Sequence, residues 1–503
     1  MKKYNVLLLM TDQHRFDTLG CYGNDVIDTP NIDYLASMGT VFDCAYTPSP
    51  SCVPARACLI SGMNQWNTGI LGMGKGQNIM GTNFPQTLPG ELANNDYHTQ
   101  AVGKMHFFPQ RSLNGFHNTL LDESGRQHNP GFVSDYQKWF NEHSKNIAHD
   151  ISEPGISWNS WIARPSTMPE YLSQTNWTAA QSVEFLKEKD PVKPFFLMTS
   201  FSHPHSPYTS PQYYYDKYMQ RDLPEPYIGD WADIHDVPID AMDIDAWHGK
   251  VKSSQIREAR AGYYGSVEHI DHQLGRILNH LKRNKQLDDT LIIFTSDHGD
   301  MLGDHHMWRK TYAYEGSARI PMLVVLPKEM REGITPRSGS PVTLYDIMPT
   351  VLDVLGIDIP DKVDGISMRN ALYGDDSISR EFVHGEHSWC YSSIQECQYL
   401  TDGKTKYVYL PGLDEEQLFD LEKDPGELHN AAADTAYTEI LAKWRSEIVL
   451  LLYGRGEGYT DGTKPVSWTD KGPIVSPEYE KRLNSSPVDW TKYHAKRIGF
   501  IPD

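Results

Sequence analysis

Apolar residues along the chain gather in short continuous runs, and several of these runs end in polar clusters. Residues 6–10 lead into Thr11-Asp12-Gln13-His14, and 100–102 into Gly103-Lys104-Met105-His106. Residues 195–201 lead into Ser202-His203-Pro204-His205, and 291–295 into Ser296-Asp297-His298-Gly299. Continuous runs of this length predict strands buried on both faces, as in a parallel sheet between helical layers. Helical spacing lies between them. Residues 263–284 place Val267, Ile270, Leu274, Ile277, Leu278 and Leu281 three or four apart, and 344–355 form a second helix stopped by Gly356. The alternation predicts an α/β sandwich with a mostly parallel central sheet flanked by helices. Sites in such sheets form at the carboxyl ends of the strands, where all these polar clusters fall.

A chain of 503 residues exceeds one ordinary hydrophobic core. The texture changes near residue 375, which divides it into a large α/β domain, 1–375, and a smaller α+β domain, 376–503. Residues 399–404 and 406–410 predict strands around an Asp402-Gly403 turn, 416–421 a further strand and 438–453 a helix. The segment from 454 is rich in Gly, Pro, Trp and Tyr and is expected to pack on the surface or on a partner subunit, leaving a homo-oligomer open.

Charge narrows the partners. The net charge of −20 argues against nucleic acid and anionic membranes, which need a basic face, but a local cluster of cations can still hold one sulfate or phosphate. No stretch approaches the ~20 apolar residues of a membrane span. The apolar N-terminal run is short, reaches Asp12 without a small-residue cleavage site, and reads as a strand. The chain as given is expected to be cytoplasmic, or periplasmic or secreted if a signal has been removed. Its six cysteines form no CxxC pair, so neither a disulfide framework nor a zinc knuckle is expected.

Cys52 stands out among them, in Ser49-Pro50-Ser51-Cys52-Val53-Pro54-Ala55-Arg56. Pro54 suits the first position of a short helix ending at Gly62, which would set Cys52 at a helix mouth whose free N–H groups attract anions. Arg56 adds a guanidinium suited to an oxyanion ester. On this string alone, a functional helix mouth and an ordinary helix start are equally good readings.

Cys52-x-Pro54-x-Arg56 resembles the core motif of the sulfatase family, a branch of the alkaline phosphatase superfamily, with Ala55 where Ser is commonest. The resemblance runs from Asp12 to the segment 415–430. It implies that Cys52 is oxidised to formylglycine by a formylglycine-generating enzyme, and that the hydrate is the nucleophile. It further implies metal ligands at Asp12 and Gln13 and at Asp297 and His298, with position 52 completing the set. Lys104 and His106 match the family's sulfate-binding pair, His205 its H-x-P histidine, and Lys310 the lysine before Tyr314-Glu315-Gly316.

The residue types suit these roles. Asp12, Gln13 and Asp297 offer hard oxygens from two strand ends, and His298 adds a nitrogen. One divalent cation is expected, Ca2+ first on the resemblance, with Mn2+ or Zn2+ favoured by the softer, less anionic set. Arg56 and the metal would hold the nucleophile, Lys104 and Lys310 would offset charge, and His205 would protonate the leaving oxygen. His106 would then take the second hydroxyl's proton to expel sulfate.

His14, Arg15, Asp17, His305, His306 and Trp308 are candidates to line the substrate pocket, Trp308 equally as a core residue. His203 is expected to be structural, and His143, His149, His235 and His248 to lie on the surface. The function expected is hydrolysis of a small-molecule or saccharide sulfate ester, carbohydrate sulfates first, with choline and aryl sulfates open. The alternatives are a phosphonate monoester or phosphodiester hydrolase of the same superfamily and a non-catalytic sulfated-glycan binder. The last would be expected to lack Arg56, a ligand or His106.

Overall fold

The computed structural model describes residues 2–485 except 74–82, 127–130, 146–154, 158, 236–246, 376, 378, 391, 393, 394, 457 and 468–475. His149 and much of the segment after 454 lie outside the described residues, as do the side chains of His235 and Leu483.

The four apolar runs are neighbouring strands. Asn5–Asp12 is central, paired in parallel with Phe195–Pro204 on one side and Thr290–Ser296 on the other. His98–Gly103 and then Asn118–Leu121 continue the parallel arrangement beyond Phe195–Pro204. Beyond Thr290–Ser296 comes Met322–Val325, which runs antiparallel, followed by Thr40–Phe42 and Arg337–Ser338. The sheet is thus mostly parallel, as its sequence implies.

The continuous apolar runs serve two cores. Val6, Leu8 and Met10 face the layer that holds the helices Cys52–Ser61 and Ile347–Leu355. Leu7 and Leu9 face the opposite layer, against Ser253–Arg283. Every residue of these runs is therefore buried, and alternation with polar residues disappears. The long helix begins ten residues before the sequence-predicted 263, because its first turns carry only a thin apolar stripe (Ile256 and Ala259). Gly262 inside it is a close-approach glycine: a Cβ there would stand 2.1 Å from the Tyr208 carbonyl oxygen.

The C-terminal part is a four-stranded antiparallel sheet, in order Val383–His387, Cys397–Thr401, Thr405–Leu410 and Glu415–Asp420. Helix Thr438–Tyr453 covers one face, packing Leu441, Trp444, Ile448 and Leu452 on Leu400, Tyr407, Tyr409 and Leu418. The other face shares a core with Tyr46, Met307, Tyr312 and Tyr314, residues of the large domain's loops. Lys406, fully buried, bonds Glu315 at 2.6 Å and Glu427 at 2.9 Å and ties the sheet to the same loops. The strand Val383–His387 has no sequence signal, since Val383 is its only β-branched or large apolar residue. Helix Pro477–Ser485 packs back on the large domain, Tyr479 joining the core that contains Cys52 and Arg482 lying over the Phe84 ring. Among the described residues no helix is long and apolar enough to cross a membrane.

Gly103 ends its strand at φ +98°, and a Cβ there would meet the Ser200 carbonyl oxygen at 2.0 Å. Gly103→Ala is expected to cost about 2 kcal/mol or more, read as a lowered melting temperature, with loss of function from displacement of the adjacent Lys104.

Candidate active site

Adjacent strand ends deliver the charged groups to one place. Asp12 is the last residue of the central strand, Lys104 follows Gly103, His205 follows Pro204, and Asp297 follows Ser296. All are buried. Opposite them Cys52 opens the helix Cys52–Ser61, with Gly62 as its left-handed cap. This corrects one expectation. The helix starts at Cys52, and Pro54 is its third residue rather than its first. The third amide is among the groups that find no partner within a helix, so proline costs nothing there either.

The start of this helix is held from outside. Ser51 precedes it in an extended conformation, but its hydroxyl does not cap the helix. Pro54 has no N–H to offer it, and Ser51 Oγ instead lies 2.7 Å from His387 Nε2. The Glu386 amide donates to the Pro48 carbonyl at 3.1 Å, the Thr311 amide to the Pro50 carbonyl at 2.8 Å, and the Tyr399 hydroxyl to the Thr47 carbonyl. The C-terminal sheet thus grips the segment before Cys52.

Arg56, one turn on, ties helix to sheet. Its Nε donates to Asp297 Oδ2 at 2.8 Å and its Nη2 to Asp12 Oδ2 at 3.0 Å. Its Nη1 donates to the Lys104 carbonyl at 2.6 Å and to Ser200 Oγ at 3.0 Å. Lys104 Nζ is 2.5 Å from Asp12 Oδ2. Around Cys52 Sγ stand Lys310 Nζ at 3.1 Å, His298 Nε2 at 3.3 Å, Asp12 Oδ1 at 3.6 Å and Lys104 Nζ at 3.7 Å. Lys310 Nζ also reaches His205 Nε2 at 2.8 Å, and His205 Nδ1–H donates to the Ser206 carbonyl at 2.6 Å.

These contacts set the protonation states. Burial works against an ionised Asp12, but Lys104, Arg56 and Lys310 hold its carboxyl well below the usual range. Burial and Asp12 push the Cys52 thiol up, while Lys104 and Lys310 pull it down further, to about 7. Burial, then Lys310 and Lys104, push His205 well below the ordinary imidazole value, so it is a neutral base beside an ammonium.

The residues fit a divalent cation. Ligand atoms of Asp12, Cys52, Asp297 and His298 all lie within 4.8 Å of one another. His298 Nδ1–H donates to the Gly299 carbonyl at 2.8 Å, which turns Nε2, the ring's other ligand atom, toward the cluster. Gln13, at φ +65°, gives its Nε2–H to Asp300 Oδ2 at 2.6 Å. Its Oε1 is buried without a hydrogen-bond partner, an acceptor that a cation would satisfy.

The remaining candidates are placed differently. His106 follows Lys104 at φ +59°, its amide bonded to Glu123 Oε1 at 2.9 Å. His14, Arg15, His305 and Trp308 are all buried in packing of their own. His14 packs edge-on against Phe294, and burial lowers its pKa to about 3. Arg15 bonds Asp17 and Asp304, both at 2.7 Å. His305 accepts from the Gly229 amide at 3.0 Å and packs on Trp231. Trp308 packs beside Trp161, in the core rather than over a substrate. His203 bridges Thr175 and Gln174. His248 is buried, not on the surface, because its segment pairs with Met307, whereas His143 is exposed. The six cysteines are unpaired.

Sequence reasoning passed over several groups that this geometry uses. Asp300, three residues after Asp297, orients Gln13 and also accepts from the Tyr208 hydroxyl at 2.7 Å. Ser200 and Glu123 hold Arg56 and the His106 backbone. Only Asp300 had a local signal, its place in Ser296-Asp297-His298-Gly299-Asp300.

A cation cradle facing an anion-attracting helix start, at the carboxyl ends of a mostly parallel sheet, defines a hydrolase of the alkaline phosphatase type. The Sulfatase family model matches residues 4–357, and the C-terminal model of N-sulphoglucosamine sulphohydrolase matches 303–452. An arylsulfatase of Clostridium perfringens is 42% identical over 473 residues, covering 92% of this chain and 97% of its own. A choline-sulfatase of Rhizobium meliloti is 31% identical, covering 86% and 82%. Among solved structures, the phosphonate monoester hydrolase of Agrobacterium radiobacter superposes with a TM-score of 0.75 at 26% identity, over 94% of this chain and 99% of that one. The chain belongs to the sulfatase family.

Two outcomes test these placements. Asp300→Asn frees the Gln13 amide, and the affinity for Ca2+, measured by calorimetry against a chelator, is expected to fall roughly 10–100-fold. His305 is held neutral mainly by burial, its pKa lowered from 6.5 to about 4. The stability that its neutral form supports is complete above pH 6.5 and is lost as the pH falls toward 4, by up to about 1.4 kcal/mol per pH unit. His305→Gln is expected to flatten the fall in melting temperature across that window.

Proposed function

We propose that the chain releases inorganic sulfate from an organic sulfate ester, with position 52 as formylglycine and one divalent cation on Asp12, Gln13, Asp297, His298 and position 52. The observation that carries this reading is the convergence of Lys104, Lys310, Asp12 and His298 on the side chain of residue 52, with His205 bonded to Lys310 behind them. When present, the formylglycine hydrate would supply a nucleophilic hydroxyl, and the cation would lower its pKa and draw charge from the sulfuryl group. Ca2+ is the expected ion, with Mn2+ and Zn2+ the alternatives.

The side chains supply the rest. Lys104 and Lys310 flank residue 52 and offset charge on the transferring group. Arg56 spans Asp12 and Asp297 and keeps both carboxylates aimed at the cradle. Lys310 Nζ, 2.8 Å from His205 Nε2, can pass a proton to it, and His205 delivers that proton to the departing alcohol. His106, two residues past Lys104, is assigned the proton of the second hydroxyl as sulfate leaves.

A second reading, phosphonate monoester or phosphodiester hydrolysis, is favoured by the likeness to the phosphonate monoester hydrolase. Turnover of matched aryl sulfate, phosphodiester and phosphonate esters separates the two. Sulfate is expected to lead by tenfold or more, and Cys52→Ala to abolish it. A lead for the phosphorus esters would establish the second reading and point to Mn2+ or Zn2+. His205→Ala is expected to lower kcat/KM by roughly 10²–10⁴ for alkyl sulfates, and much less for 4-nitrophenyl sulfate, whose leaving group needs no proton.

A further inference from the structure

A cavity of about 390 Å³ lies beside His205, the residue assigned to the departing alcohol. Segments far apart in sequence build it: Tyr136, Ile156, Met168, Gln174, the 202–209 turn and His269. None of its described lining residues is Asp, Glu, Lys or Arg. The contrast with the neighbouring site is sharp, since the side chains around residue 52 are mostly charged.

The polar groups of the wall are largely spoken for. His203 is held between Thr175 Oγ1 at 3.1 Å and Gln174 Nε2 at 3.2 Å, and burial keeps it neutral. The Tyr136 hydroxyl donates to the Leu172 carbonyl at 2.8 Å. His269 stacks on Tyr214 with Nε2 3.4 Å from Glu170 Oε1, and burial outweighs that carboxylate and lowers its pKa. Ile156 and Met168 add apolar surface. The described wall accepts a ring and a few neutral hydroxyls, and presents no ionised Asp, Glu, Lys or Arg side chain of its own to a second charge.

We infer that this cavity receives the alcohol half of the ester and that its wall, which among the described residues carries no acidic or basic side chain other than histidine, selects a neutral, single-ring alcohol over alcohols carrying a second sulfate, a carboxylate or a quaternary ammonium. The inference rests on the hydrolase reading above and adds the substrate class to it. Phenols and unsubstituted monosaccharides share this chemistry, and the test separates them.

The test compares kcat/KM for phenyl sulfates of matched phenol pKa that carry no charge, a ring carboxylate or a ring trimethylammonium. A second pair compares N-acetylglucosamine 6-sulfate with glucosamine carrying both N- and 6-O-sulfate. The neutral member is expected to lead by tenfold or more in each comparison, and the two neutral members show whether a phenol or a sugar is preferred. Met168→Arg is expected to shift the ratio at least tenfold toward the carboxylate and disulfate esters, and Gln174→Glu toward the trimethylammonium ester. Competitive inhibition by inorganic sulfate should stay unchanged in both variants, which reports an intact site around residue 52. Charged and neutral esters within about threefold of one another, or ratios unmoved in variants that still bind sulfate, would overturn the inference. The same phenols presented as methyl phosphodiesters read the cavity whichever element is transferred. A lead for phosphorus with the neutral preference kept would overturn the sulfate reading alone.

Discussion

Two buried carboxylates, Asp12 and Asp297, end neighbouring strands and have to be neutralised without water. Ions in such a place cost several kcal/mol each unless they are paired and hydrogen-bonded. Arg56 meets that demand by spanning both carboxylates, and Lys104 closes on the free side of Asp12. The pairing fixes more than charge. Arg56 can reach the strand ends only if its helix presses its first two turns against them, and residue 52 lies one turn earlier on that helix. The position of the Cys52 side chain is therefore set by an ion pair four residues away.

The cradle still holds an unmet acceptor. Among the described residues Gln13 Oε1 has no hydrogen-bond partner, and His298 turns Nε2 toward the cluster. Asp300 determines which end of the Gln13 amide faces the cradle, so a carboxylate that touches no ligand atom of its own decides what the cation would meet. This is a division between residues that bind and residues that aim, and both kinds end up near the same strand ends.

Much of this was legible in the chain. The central strands announced themselves because burial on both faces removes alternation, and the polar clusters fell where such strands must stop. Cys52, Pro54 and Arg56 carried their spacing openly, although the helix begins at the cysteine and not at the proline. What could not be read was whatever depends on contacts between distant segments. His14 and Arg15 adjoin Gln13 in sequence, but the left-handed turn at Gln13 sends its neighbours into packing and ion pairs of their own. Val383–His387 lacks a β pattern, since its job is to hold a loop rather than to build a core. The cavity beside His205 is assembled from separate stretches, none of which has a distinctive composition.

The grip of the C-terminal sheet on residues 47–51 has a consequence for the order of events during synthesis. Cys52 is made early, but His387, Glu386 and Tyr399, which lock the segment before it, emerge more than three hundred residues later. Until then the segment lacks half of its anchors. Once they engage, the thiol is fully enclosed. The Cys52 side chain is therefore open to solvent only in the interval between those events, and any change that speeds closure of the C-terminal sheet shortens that interval.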